Sequence, residues 1–178
     1  MSTNGNTPTK RKPGRPRKKP LPVKSTRKGI VTEPSVPGNC VELLYDSPDD
    51  IKKINTYANN LKSDVIQFSF RADGIYLYFA NTSFTNQCRI FIDGSKSVSY
   101  YCESDHDIYI RRQNIDLVFQ SLNKQTITIS FVMRTDAKNE KMYIVLKDTY
   151  GYLRTVKIDV VLENLEDEKK VLLDSLSD

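Results

Sequence analysis

The chain has 178 residues, with 27 Lys or Arg against 22 Asp or Glu and a formal net charge of +5. That charge is split: ten cations and no acid lie in residues 1–30, leaving 17 basic against 22 acidic residues for the remainder. A strongly basic arm on a mildly acidic body follows, and a uniformly basic DNA-coating domain is excluded.

Seven of the eight prolines and four of the seven glycines precede residue 39, whereas the first aromatic residue is Tyr45. A segment without large apolar groups cannot offset the entropy of ordering, so residues 1–38 are expected to be disordered in isolation. Residues 39–162 suffice for one cored domain. Residues 163–178, with two basic and six acidic side chains, read as an acidic tail or the start of a connector. The apolar runs are too short to span a bilayer and the N-terminus carries no secretion signal, so a soluble intracellular protein with no membrane partner is expected. Cys40, Cys88 and Cys102 show no paired spacing, which points to reduced thiols rather than a disulfide or zinc site.

Within the arm, Lys10, Arg11, Lys12, Pro13, Gly14, Arg15, Pro16, Arg17, Lys18 and Lys19 form the Gly-Arg-Pro core of an AT-hook with its basic flanks. Pro16 disfavours helix at Arg15, and Gly14 permits close backbone approach to a groove floor. Arg15 and Arg17 are then suited to the narrow, negative minor groove of A·T tracts, with the lysines on phosphates. The competing reading is a nuclear localisation signal or a nonspecific basic tail.

In the body, Asp46-Ser47-Pro48-Asp49-Asp50 is a helix start, with Ser47 as cap, Pro48 at the first helical position and Asp50 completing a capping box. The spacing predicts a helix from 48 to about 62 whose apolar stripe is Ile51, Ile54, Ala58 and Leu61 with Tyr57 beside them. Its opposite face carries Lys52, Lys53 and Lys62. A second, shorter helix is predicted after Asn114 as cap, on Ile115, Val118, Phe119 and Leu122. Strands are predicted at 41–46, 65–70, 75–79, 87–93, 97–102, 107–112, 126–133, 142–147 and 153–161, separated by turn signals at Ala72-Asp73-Gly74, Asp93-Gly94 and Lys138-Asn139-Glu140.

These elements repeat. A shift of 61 places Ile54, Ala58 and Leu61 on Ile115, Phe119 and Leu122, and Ile66 to Phe70 on Ile127 to Phe131. A shift of 67 then lays Ile75 to Phe79 on Met142 to Leu146. The body reads as two copies of strand, helix and three strands.

This order of elements, the helix Asp49 to Leu61 with Lys52-Lys53, the Gly74-Ile75 hairpin and Tyr101-Cys102-Glu103 resemble the N-terminal domain of a sliding DNA clamp of the proliferating cell nuclear antigen type. The Pro-Gly-Arg-Pro head and Arg27-Lys28-Gly29-Ile30 are similar to the clamp-like protein of asfarvirus-type large DNA viruses. The resemblance implies an α+β DNA-clamp fold, two βαβββ units with two helices packed on antiparallel sheets, preceded by the disordered basic arm. It also implies helices on a ring's inner wall, so that Lys52, Lys53 and Lys62 face duplex phosphates. The loop Asn81, Thr82, Ser83 and Phe84, together with Leu162, would flank a pocket for partner peptides. Asn81 and Phe84 depart from the residues usual there, Leu117 and Gln120 stand on the second helix where lysines are expected, and cellular clamp subunits hold two such domains.

His106 stands alone between acids, and no phosphate-cradling glycine loop, metal-ligand spacing or nucleophile–base pair is found, so no catalysis, metal or cofactor is expected. The expected function is that of a sliding-clamp-like processivity factor. Its partners would be double-stranded DNA, a DNA polymerase and other replication or repair proteins, and further clamp domains in a ring, in the host nucleus or a cytoplasmic viral replication site. The alternatives are an architectural or regulatory DNA-binding protein whose arm supplies affinity and whose β-rich body binds proteins, and a structural protein that uses the arm for targeting.

Overall fold

The computed structural model describes residues 26–83, 85–134 and 141–160. The elements in chain order are β1 (Asn39–Tyr45), α1 (Pro48–Leu61), β2 (Val65–Arg71), β3 (Gly74–Ala80), β4 (Gln87–Asp93), β5 (Ser99–Cys102), β6 (His106–Arg111), α2 (Arg112–Ser121), β7 (Thr126–Arg134), β8 (Lys141–Asp148) and β9 (Leu153–Asp159), with a single 3-10 turn at Gly94–Lys96 before β5. The expected α+β class, the two helices and all nine strands are present, with strand ends moved by at most two residues. The Lys138-Asn139-Glu140 turn lies outside the described residues.

Nine antiparallel strands form two sheets, β5-β1-β7-β8-β9 and β4-β3-β2-β6. The two repeats are β1-α1-β2-β3-β4 and β6-α2-β7-β8-β9, and each lends its first strand to the other. β1 pairs with β7 of the second repeat, Leu43 opposite Phe131, and β6 pairs with β2 of the first, Ile108 opposite Phe68. Residues matched by the two shifts occupy equivalent places: Ile54 and Ala58 are buried like Ile115 and Phe119, and Ile75, Leu77 and Phe79 like Met142, Ile144 and Leu146.

Both helices and the inner faces of both sheets share one hydrophobic core. Phe68 of one sheet meets Phe131 of the other with ring centroids 6.3 Å apart. Tyr100 ties the sheets more specifically: its buried hydroxyl lies 2.6 Å from the Arg71 carbonyl and 2.9 Å from the Gly74 carbonyl and shares its proton between them. A side chain at Gly94 would collide with that ring, its Cβ falling 2.6 Å from Tyr100 Cδ1. The outer face of the four-stranded sheet is also covered, because Tyr78 and Tyr109 lie over it in a second buried cluster. Gln67 and Ser69 are buried in consequence, so β2 shows no in-out alternation.

Local details differ from expectation. Ser47 makes no side-chain cap, and α1 opens instead with Asp50 N–H donating to the Ser47 carbonyl at 3.0 Å. Asn114 lies inside α2, which begins directly from β6 at Arg112 because the backbone there is already held: Arg112 N–H donates to the Asp64 carbonyl at 2.9 Å. Tyr57 is 51% exposed rather than part of the buried stripe, since Ala58 and Ile54 face the sheets. His106 opens β6 instead of sitting in a loop, and its neighbours Asp105 and Asp107 both pair with Arg71, at 3.8 and 2.8 Å.

The expected boundary at residue 38 is also corrected. Residues 27–38 form a strap on the body. Lys28 N–H donates to the Val98 carbonyl (2.7 Å), Tyr100 N–H to Gly29 (2.9 Å) and Val31 N–H to Tyr100 (2.8 Å), so the strap runs parallel to β5 along its free edge. Backbone pairing needs no aromatic anchor, which is why composition placed this segment outside the domain.

Candidate nucleic-acid interface

α1 and α2 contact each other directly, and the outward sides of this pair form the candidate interface. The stripe Ile51, Ile54 and Ala58 is buried, which turns Lys53, Thr56, Asn59 and Asn60 outward, with Lys52 partly covered. Amide and hydroxyl groups beside cations suit phosphate oxygens, which accept hydrogen bonds without regard to base sequence.

The cations are not equivalent. Lys52 lies 3.4 Å from Asp49 and Lys53 lies 2.7 Å from Asp50, both as i,i+3 pairs. The Asp50 hydrogen bond, aided by its charge, holds the Lys53 ammonium above its ordinary value. The acids read as caps are therefore also the lysines' partners, and they offset much of the positive potential over the first two turns of α1. Lys62 makes no ion pair with the described residues and caps α1 in a left-handed conformation, φ 52° and ψ 37°.

Sequence reasoning passed over Arg112. Its guanidinium reaches across from α2 to donate to Asn59 Oδ1 of α1 and lies 3.9 Å from Asp116. It joins the C-terminal end of α1 to the start of α2 and so brings a second cation to the end of α1 that carries Lys62. Its basic character beside a predicted strand end was the available signal. On α2 the outward residues are Gln113, Gln120 and Leu117, the last 67% exposed, so that helix offers little charge beyond its first turn.

The candidate partner loop is built from the inside. Asn81 donates to Ser83 Oγ (3.0 Å) and Thr85 Oγ1 (2.9 Å) and accepts from Asn86 N–H (3.1 Å), which fixes the β3–β4 turn and leaves Thr82 and Ser83 exposed. Phe84 and Leu162 lie outside the described residues, as do Lys10, Arg11, Lys12, Gly14, Arg15, Pro16, Arg17, Lys18 and Lys19, so the structure brings none of these to the helix face. Cys40, Cys88 and Cys102 are half-buried, and burial pushes the Cys88 and Cys102 thiols up. Among the described residues no group of three or more His, Cys, Asp or Glu is placed to hold a metal ion, and no helix is long and apolar enough to cross a membrane.

No protein-family profile matches the chain. It is 31% identical over 139 residues to the uncharacterized protein E301R of African swine fever virus isolate Tick/Malawi/Lil 20-1/1983, covering 78% of this chain and 46% of that protein. E301R of isolate Pig/Kenya/KEN-50/1950 is 30% identical over the same length. The chain thus spans about half the length of the curated relatives it matches. Among solved structures it superposes on PCNA from Thermococcus kodakaraensis with a TM-score of 0.57 at 15% identity, covering 70% of this chain and 48% of that one. The PCNA2–PCNA3 complex from Sulfolobus tokodaii gives a TM-score of 0.57 at 17% identity, over 69% and 47%. With two interlocked strand–helix–three-strand repeats and paired helices on one side, the chain has the sliding-clamp fold shared with these PCNA structures.

Proposed function

We propose that the chain acts as a sliding-clamp-like DNA polymerase processivity factor, encircling duplex DNA and tethering replication and repair proteins, with the basic arm adding a second DNA contact. The observation that carries this reading is the pair of helices exposed side by side on one face of the two sheets, an arrangement shared with the PCNA structures. The role is topological and electrostatic, without catalysis, and its place is the host nucleus or a cytoplasmic viral replication site. In this reading β9, an edge strand whose Val156 and Ile158 face inward, pairs with a neighbouring clamp domain and closes the ring. Partner peptides bind beside the Asn81–Phe84 loop and Leu162.

Retention on DNA tests it. The assembled protein should stay on a closed circular duplex and be lost when the circle is cut. A dilution-resistant monomer in light scattering, unable to pair with a supplied second clamp domain, would defeat the ring. The pairing of Lys52 and Lys53 with Asp49 and Asp50 favours one second reading, an architectural DNA-binding protein whose affinity resides in the arm. That reading expects equal retention on circular and linear DNA.

A further inference from the structure

The strap is held at both ends. At its start Arg27 lies 3.2 Å from Asp46, the residue immediately before the Ser47 that precedes α1. Gly29 follows with φ +68°, so close to the 3-10 turn that an added Cβ would sit 3.1 Å from the Ser95 carbonyl oxygen. At its far end the Glu42 carboxylate gathers the Ser35 N–H (2.8 Å), the Ser35 hydroxyl, the Val36 N–H (3.0 Å) and the Asn39 amide. The chain therefore leaves the body at Arg27 beside the start of α1, and not at Asn39 where β1 begins.

That position has a consequence for reach. Lys53 is seven residues beyond Asp46, which at 1.5 Å per helical residue places it about 10 Å along α1 from the strap's start. Arg17 precedes Arg27 by ten residues, and a random-coil tether of ten residues has a root-mean-square span of about 18 Å. Were residues 27–38 unattached, the tether from Arg17 to Asn39 would be 22 residues.

We propose that residues 27–38 are an anchoring strap that roots the basic arm at the rim of the helix face, so that Arg15 and Arg17 and the cations of α1 grip the phosphates of one duplex as a bivalent site. This rests on the DNA-binding reading above and deepens it: the strap sets the effective concentration of one contact with respect to the other. That concentration falls roughly as the −3/2 power of tether length. Freeing the strap lengthens the tether from ten residues to 22 and lowers it about threefold, and inserting twenty Gly/Ser residues between Thr26 and Arg27 lowers it about fivefold.

Fluorescence anisotropy with a labelled 30-base-pair duplex tests this on the full chain at one fixed salt concentration. The insertion leaves the strap and the body intact, and Gly29→Val combined with Glu42→Gln frees the strap without touching arm or helix. The expected result is a loss of duplex affinity of about threefold for the freed strap and about fivefold for the insertion, and in both backgrounds Lys52→Glu with Lys53→Glu has a smaller effect than in the parent chain. Unchanged affinity in both variants, with an undiminished effect of the lysine reversals, overturns the bivalent grip while leaving two independent DNA contacts. An increase in affinity on insertion also overturns it, since Asp46, Asp49 and Asp50 at the rim would then be competing with DNA for the arm. The underlying reading fails by a different result: deletion of residues 1–25, strap retained, that leaves affinity and its salt dependence unchanged.

Discussion

Lys62 illustrates how a single backbone angle and a single charge can be separated. Its left-handed φ of 52° closes α1, with its N–H donating to the Asn59 carbonyl at 3.1 Å, and this conformation strains any residue with a Cβ by about 1 kcal/mol. Lys62→Gly should therefore hold or raise stability by up to about 1 kcal/mol in urea denaturation, while reducing the salt slope of duplex binding by about one phosphate contact. Tyr100 lies at the opposite extreme. Burial pushes its phenol far above its ordinary value, so it remains a donor to the Arg71 and Gly74 carbonyls across the accessible pH range. Tyr100→Phe leaves those carbonyls without it and should cost about 1–3 kcal/mol. Glu42 supplies a pH dependence. Burial alone would push its carboxyl up, but the hydrogen bonds from Ser35, Asn39 and Val36 outweigh it and hold the group below its ordinary 4.5. A depressed carboxyl contributes stability above its unfolded value and loses it as pH falls through the folded one. The strap should therefore loosen only below about pH 4.5, seen as movement of the Ser35 and Val36 amide resonances, and Glu42→Gln should abolish the transition.

Among the elements, α1 was the most legible, because its buried stripe follows helical spacing and Pro48 marks its start. Ile54→Ala should destabilise the domain by about 2–5 kcal/mol, since Ile54 is only 4% exposed within the shared core. The strands were legible from alternation wherever one face meets solvent. β2 was found despite losing that alternation, because Ile66, Phe68 and Phe70 still mark its inner face while the covering tyrosines come from β3 and β6. What local pattern could not show were features made by distant backbone. The strap is held by the edge of β5, remote in sequence, and carries few apolar side chains to announce it. The start of α2 at Arg112 depends on the Asp64 carbonyl rather than on a capping side chain. In the candidate interface Lys52, Lys53 and Lys62 were readable from one helix face, but the neutralising role of Asp49 and Asp50 and the reach of Arg112 to Asn59 arise only once the rotamers and the second helix are in place.

For the whole molecule, DNA affinity and assembly should separate cleanly. Deleting residues 1–25 should shrink the salt slope of duplex binding by about 0.9 for each phosphate the arm had neutralised, with the assembled mass in light scattering unchanged. Deleting 1–38 would give a mixed result, because it also strips the edge of β5 and empties the hydrogen bonds of Glu42. The strand exchange between repeats reaches further. Since β1 completes the sheet of β7, β8 and β9 while β6 completes that of β2, β3 and β4, neither repeat contains a finished sheet. The two halves are in effect a domain-swapped pair fused into one chain. An ancestor holding a single repeat would have been obliged to exist as an intertwined homodimer. Cut at Ser104, the present chain should yield fragments that stay unfolded apart and regain the native circular dichroism spectrum only when mixed.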